Sequence, residues 1–195
     1  MTASRTSSKT IAKRTVVGVL CAAMVAWLLV SQNPALTSPT MSWQSASFVE
    51  QPRVGAAEDQ KPTWVVWDQP SGAWASVVVH NARPYPVTVS PGSMGNVAQV
   101  QIARFDPAAG DDDISASHVT AVSSLRVPAG GYLVVSLRVS DRCVPMSAGG
   151  ATGDDSATVN VTTLGLTASL DVPFPATYMA GTTTGHAADP SCATQ

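Results

Sequence analysis

Charge is scarce in this sequence: Asp, Glu, Lys and Arg together make up 12% of its 195 residues. No acidic residue precedes Glu50. Beyond position 14 the basic residues form no stripe, which argues against a nucleic-acid partner. A polybasic patch for anionic lipid is missing there too. Histidine is limited to three residues, His80, His118 and His186. None of them neighbours a recognisable nucleophile motif, and Gly92-Ser93-Met94-Gly95 has the wrong spacing for G-x-S-x-G. Helical periodicity is also lacking. After residue 31 no stretch of ten or more residues keeps a 3.6-residue apolar repeat, so the crossover helices of a parallel α/β sheet are absent. These absences point away from hydrolases and toward a non-enzymatic, all-β chain.

What is present begins at the N-terminus. Arg5, Lys9, Lys13 and Arg14 precede an uncharged apolar run, TVVGVLCAAMVAWLLVS, from Thr15 to Ser31. Its length is at the short end of the roughly 17–25 residues that cross a bilayer. It exceeds the 7–15 residues usual for the core of a cleaved signal peptide. Gln32, Asn33 and Pro34 follow without a small-x-small site, so the run reads as an uncleaved signal anchor. A cleaved signal is the alternative, with Val54-Gly55-Ala56 too far downstream to serve well. Cys21 sits inside the run after Val19-Leu20 and is not a lipoprotein acceptor. The one-sided positive charge keeps residues 1–14 in the cytoplasm and places the rest outside the cell membrane. Trp27 would sit near the outer interface.

Beyond Ser31 the chain carries seven basic and thirteen acidic residues, a net charge of −6 with His neutral. Residues 32–62 read as a flexible, disordered tether: Pro34, Pro39, Pro52 and Pro62 lie among Ser, Thr, Gln and Ala. Trp43 and Phe48 interrupt it. They are either incidental loop residues or a short segment packing back on the domain.

From Thr63 to residue 181 the texture is that of strands. Candidates are Trp64–Trp67, Trp74–His80, Tyr85–Ser90, Val97–Phe105, His118–Leu125, Tyr132–Val139, Ala157–Leu164 and Leu166–Val172, with Gly and Pro turns between them. Seven or eight short strands at this spacing predict one antiparallel β-sandwich. Alternation assigns Val77, Val79, Val87, Val100, Ile102, Leu133, Val135, Leu137, Val159 and Val161 to the inside. Residues 182–195 read as a C-terminal tail.

The order of features resembles immunoglobulin-like ectodomains of uncharacterised, membrane-anchored actinobacterial proteins. VVVHNARPYPVTV, RVPAGGYLVVSLRVSDRC and VNVTTLGLTASLDVPFP carry the likeness, followed by a final cysteine, here Cys192. It covers Trp74 to Cys192. The Trp on a third strand typical of antibody domains is missing, so the likeness is to the wider architecture. The resemblance implies an immunoglobulin-like sandwich and brings no catalytic residues with it.

Cys143 and Cys192 are the two cysteines outside the apolar run. In an oxidising compartment such a pair reads as a disulfide that pins the tail to the sandwich. Two free thiols or an intermolecular bond are the alternatives. Metal chemistry is weaker. A copper site wants two His, a Cys and a Met, and no His follows Cys143-Val-Pro-Met146; a His80, His118 and Met146 set is the fallback. Asp106 and Asp111-Asp112-Asp113 lack the spacing of a calcium loop, and with Asp154-Asp155 they read as solvated turns. Asn160-Val161-Thr162 matches a glycosylation sequon but falls inside a strand. Trp64, Trp67 and Trp74 read as core residues, with a carbohydrate-stacking face as the alternative. The sequence therefore predicts no cofactor. It predicts a binding or scaffolding ectodomain whose partner, a protein or the cell wall, is unknown. An exported domain binding a small ligand, copper or calcium is the second reading.

Overall fold

A computed structural model describes residues 16, 18–28, 36–37, 39, 41–52, 61–93, 98–105 and 120–190. Ten strands follow in chain order: β1 (Met41–Gln44), β2 (Val49–Glu50), β3 (Thr63–Trp67), β4 (Ala73–His80), β5 (Val87–Pro91), β6 (Ala98–Phe105), β7 (Leu125–Val127), β8 (Tyr132–Val139), β9 (Ala151–Thr163) and β10 (Leu166–Gly181). They form a four-stranded sheet, β1-β4-β8-β6, and a six-stranded sheet, β2-β3-β10-β9-β5-β7. The chain is thus mostly β, in two sheets.

Both sheets turn one face to a shared core, and period-two alternation decides which residues reach it. Val77, Val135 and Ile102 stand in one register row across β4, β8 and β6 and are fully buried. Val87, Val89, Val159, Phe174 and Tyr178 face them from the other sheet. Of the ten residues expected inside, nine are in this core, and Val100 packs against it half-buried. Val100 is open on one side because β6 ends its sheet.

Five expectations need correction. First, the tether expected over 32–62 is partly structured. Leu36 bridges Asn81, β1 pairs antiparallel with β4, and β2 pairs with β3. Hydrophobic burial is the cause: Phe48 is 5% exposed and its ring lies 5.1 Å from that of Tyr178. Residues 53–60 lie outside the described residues. Second, pairing is not uniformly antiparallel, because β3 runs parallel to β10 from Thr63↔Thr177 to Trp67↔Gly181. A parallel pair needs a long crossover, and here the strands between β3 and β10 supply it. The two strands approach closely at Gly181, where a Cβ would stand 2.7 Å from the Trp67 ring.

Third, the strand expected over His118–Leu125 shrinks to a lone bridge at Val122 and the short β7; His118 lies outside the described residues. Fourth, β9 and β10 run well past their expected ends. The turn Leu164-Gly165, both at positive φ, joins them as a two-residue hairpin,. Pro173 falls at a register shift between Pro173 and Tyr178, before β3 begins to flank β10 at Thr177, and Pro175 lies within that shift. A strand tolerates proline in such places because no ladder N–H is demanded. Fifth, the tail is held through residue 189. His186 and Met146 exchange two backbone hydrogen bonds of 2.9 Å, and Arg142 Nε donates to Asp189 at 2.7 Å.

A helix covers residues 18–28. Among the described residues no helix is long and apolar enough to cross a membrane. The expected span 15–31 has residues 15, 17 and 29–31 outside the described ones.

Candidate functional site

Alternation gives the four-stranded sheet a second face, turned away from the core. Its rows are His80–Tyr132–Phe105, Val78–Val134–Ala103 and Ser76–Ser136–Gln101. Val78, Ala103 and Val134 are almost fully buried, although they lie outside the main core. Aromatic rings roof them. Trp43 from β1 and Phe105 from β6 approach to 6.4 Å between centroids, across the two strands that separate them. Tyr132 meets Phe105 edge-on at 6.3 Å, and His80 lies 4.8 Å from Tyr132. Such tilted and edge-on contacts are the favoured geometry for rings. The roof residues Trp43, Phe105 and Tyr132 remain part-exposed, so apolar rings line the surface here.

Under this face the hydroxyls of Ser76 and Ser136 meet at 2.8 Å, both residues buried. Each hydroxyl satisfies the other, so the pair is cheap while complete. Ser76→Ala alone should cost about 1–3 kcal/mol by stranding the Ser136 hydroxyl, whereas the double Ala variant should be close to neutral. A double-mutant cycle in urea reads the difference.

Beside the roof, where β6 and β7 end their two sheets, opens a cleft of about 380 Å³. Arg104, Phe105, Leu125, Arg126 and Tyr132 line it, with the turn Pro128–Gly131 as its floor. Asn81 braces that turn. Its side-chain amide donates to the carbonyls of Tyr85, Val127 and Pro128 at 3.1, 3.3 and 2.9 Å. Its backbone N–H donates to Gly131 O at 2.8 Å, and its carbonyl accepts from Gly130 N at 3.0 Å.

At the opposite end of the β4–β8 ladder lies a polar cluster. The Asp68 carboxylate accepts from Thr182 Oγ1 at 3.1 Å, Thr183 N at 2.9 Å and Thr183 Oγ1 at 2.6 Å. The Thr183 hydroxyl, its backbone N–H and more weakly the His186 charge hold the Asp68 carboxyl below the usual carboxylate range. His186 Nε2 lies 2.8 Å from Asp141 O. These bonds tie the turn after β3 to the segment after β10.

Asp154 behaves in the opposite way. Partial burial, then the neighbouring Asp155, push its carboxyl above the usual value. A raised folded-state pKa means that stabilisation is complete below the unfolded value and is lost as pH rises through the folded one. Asp154→Asn should therefore raise the melting temperature at neutral pH. The gain should vanish in acid, and melting curves from pH 3 to 8 check it.

Several expected residues do not converge. His80 belongs to the roof and Met146 pairs with His186 at the other end of the ladder, so His80 and Met146 cannot share a copper ion. Among the described residues no group of three His, Cys, Asp or Glu could hold a metal. Asp106 and Asp111–Asp113 lie outside the described residues. The three tryptophans form no common face. Trp64 packs on the core, Trp67 on Gly181, and Trp74 carries the Arg138 guanidinium 5.7 Å from its ring. Cys143 sits in the loop after β8 and is not free; Cys192 lies outside the described residues, and Cys21 is the free cysteine. Sequence reading missed the roof because Trp43 sits in the presumed tether. No family model, curated protein or solved structure matches the chain.

Proposed function

We propose that this chain is a single-pass, membrane-anchored ectodomain whose immunoglobulin-like β-sandwich binds or scaffolds a partner at the bacterial cell envelope, without catalysis. The aromatic roof with its adjoining cleft carries the binding part of this reading. Part-exposed rings of Trp43, Phe105 and Tyr132, gathered from three strands on one outer face, are the residue types that supply most interface energy,. The anchor is supported by the helix over 18–28, whose Val19, Leu20, Met24 and Val25 are all more than half exposed. Apolar side chains exposed around a helix need a cover, and lipid is the one that four preceding basic residues orient. The immunoglobulin-like layout is supported at the level of architecture, by two sheets that close over one shared core,.

The oxidised Cys143–Cys192 bridge belongs to the same reading. Asp189 N donates to Arg142 O at 2.9 Å, which brings the chain beside Cys143 three residues before Cys192. Closing that loop stabilises by about 4 kcal/mol in the chain-entropy model. Peptide mapping without reductant should find one linked peptide holding both cysteines; alkylation of both thiols without reductant would refute the bridge.

Location is tested by protease added to intact cells expressing the full chain. The ectodomain should be digested, and the uncut chain should stay in the membrane pellet after an alkaline wash. A protected or washed-out chain overturns the anchor. Binding is tested by co-sedimentation with purified cell-wall sacculi, which Trp43→Ala and Tyr132→Ala should weaken.

A further inference from the structure

The cations of the described domain have unequal fates. Lys61 pairs with Asp155 at 2.8 Å and Arg142 with Asp189 at 2.7 Å. Arg138 donates to Ser71 O and Gln99 and lies over Trp74. Arg83 has an interaction of its own. Arg104 and Arg126 have no ion pair or hydrogen bond among the described residues, and both line the same cleft. They rise from different sheets, Arg104 on β6 and Arg126 on β7. The part of the chain that holds them has six more acidic than basic residues. Two arginines without a carboxylate partner among the described residues, in such a background and lining one cleft, form a local site of positive potential,.

The rest of the lining says what accompanies the anion. Phe105 and Tyr132 meet edge-on at 6.3 Å and contribute part-exposed ring surface. Leu125 adds an apolar base. At about 380 Å³ the cleft is at the small end of ligand-binding cavities and suits a ring or two rather than a folded partner,. Bare phosphate would satisfy the arginines but leave the rings uncovered. A neutral sugar would cover the rings and leave the two arginines without a counter-charge. The turn Pro128–Gly131 is already held by Asn81, so the floor needs no ordering when a ligand arrives,.

We propose that this cleft binds a carboxylated sugar of the uronic-acid class. The carboxylate takes the Arg104 and Arg126 guanidiniums, and the sugar ring lies against Phe105 and Tyr132. Guanidinium matches carboxylate geometry with paired N–H donors, which gives both strength and orientation. This inference deepens the proposed envelope-binding role and names its ligand class.

The test is calorimetric titration of the full chain in detergent with a galacturonate trisaccharide, its neutral galactose counterpart and inorganic phosphate. Arg104→Gln and Arg126→Gln are compared, with circular dichroism to confirm the fold; both residues are exposed, so folding should persist. The acidic trisaccharide should bind, and each variant should weaken it roughly tenfold or more, as loss of a charge-assisted hydrogen bond implies. The neutral trisaccharide should bind at least about tenfold more weakly. No binding of the acidic sugar, equal binding of the neutral one, or unchanged affinity in both variants overturns the proposal. Phosphate binding as tightly as the acidic sugar also overturns it, leaving a simple anion site. Membrane location and sacculus binding are read separately, so failure here is distinguishable from failure of the envelope role.

Discussion

Phe174→Ala should lower stability by about 3–5 kcal/mol, the usual cost of emptying a buried phenylalanine site. Its ring is 2% exposed and meets Tyr178 edge-on at 5.9 Å, and Tyr178 in turn meets Phe48 at 5.1 Å. The three rings form one cluster, which joins two residues of β10 to Phe48 from a distant part of the chain. Phe174 sits between Pro173 and Pro175 at the register shift of β10, where neighbouring backbone has little freedom to close around a cavity. The urea midpoint should fall without a change in slope. Phe48→Ala is the sharper companion. In a free tether it would cost nothing, whereas a 5% exposed ring against Tyr178 should cost about 3 kcal/mol,. Because both rings touch Tyr178, the two losses should not add.

The contrast between Phe174 and Phe48 shows what the sequence discloses. Alternation is a local signal, so β4, β6 and β8 and their inward valines and leucines are readable directly from the chain. Val100 differs only because β6 is a terminal strand, and strand order is not written in any local pattern. The segment Met41–Gln44 has four residues, too few for a period. It becomes a strand because β4 offers a free edge and the outer face offers cover for Trp43, both of which exist only after folding. Pro173 and Pro175 misdirect in the other direction. They read as the end of a strand, yet β10 carries them through a register shift and continues to Gly181. The cleft was illegible for a related reason. Arg104 and Arg126 look like unremarkable surface residues until β6 and β7 bring them to one end of the two sheets.

Asn81 carries the other large effect. Substitution by alanine should cost about 2–4 kcal/mol, measured by urea or thermal unfolding, because three carbonyls lose their donor at once. Asn81 is fully buried, and its amide is the hub between the β4 end, the Tyr85 segment and the turn after β7. Its Oδ1 meanwhile accepts from Arg83 N at 3.1 Å. Asn81→Asp separates shape from hydrogen bonding. The replacement has nearly the same volume but turns an acceptor oxygen toward the carbonyls of Tyr85, Val127 and Pro128. An ionised carboxylate there is buried and faces partial negative charge, so its folded-state pKa must rise. With the folded value above the unfolded one, the loss is largest at neutral pH and shrinks as pH falls, when the protonated acid can donate one hydrogen bond. The expected result is therefore a variant less stable than alanine at pH 7 that recovers toward it, or beyond it, near pH 4. A loss independent of pH would mean that Asn81 acts through packing alone. Either variant should also loosen the Pro128–Gly131 floor of the cleft, because the brace that holds Gly130 and Gly131 starts from this same residue.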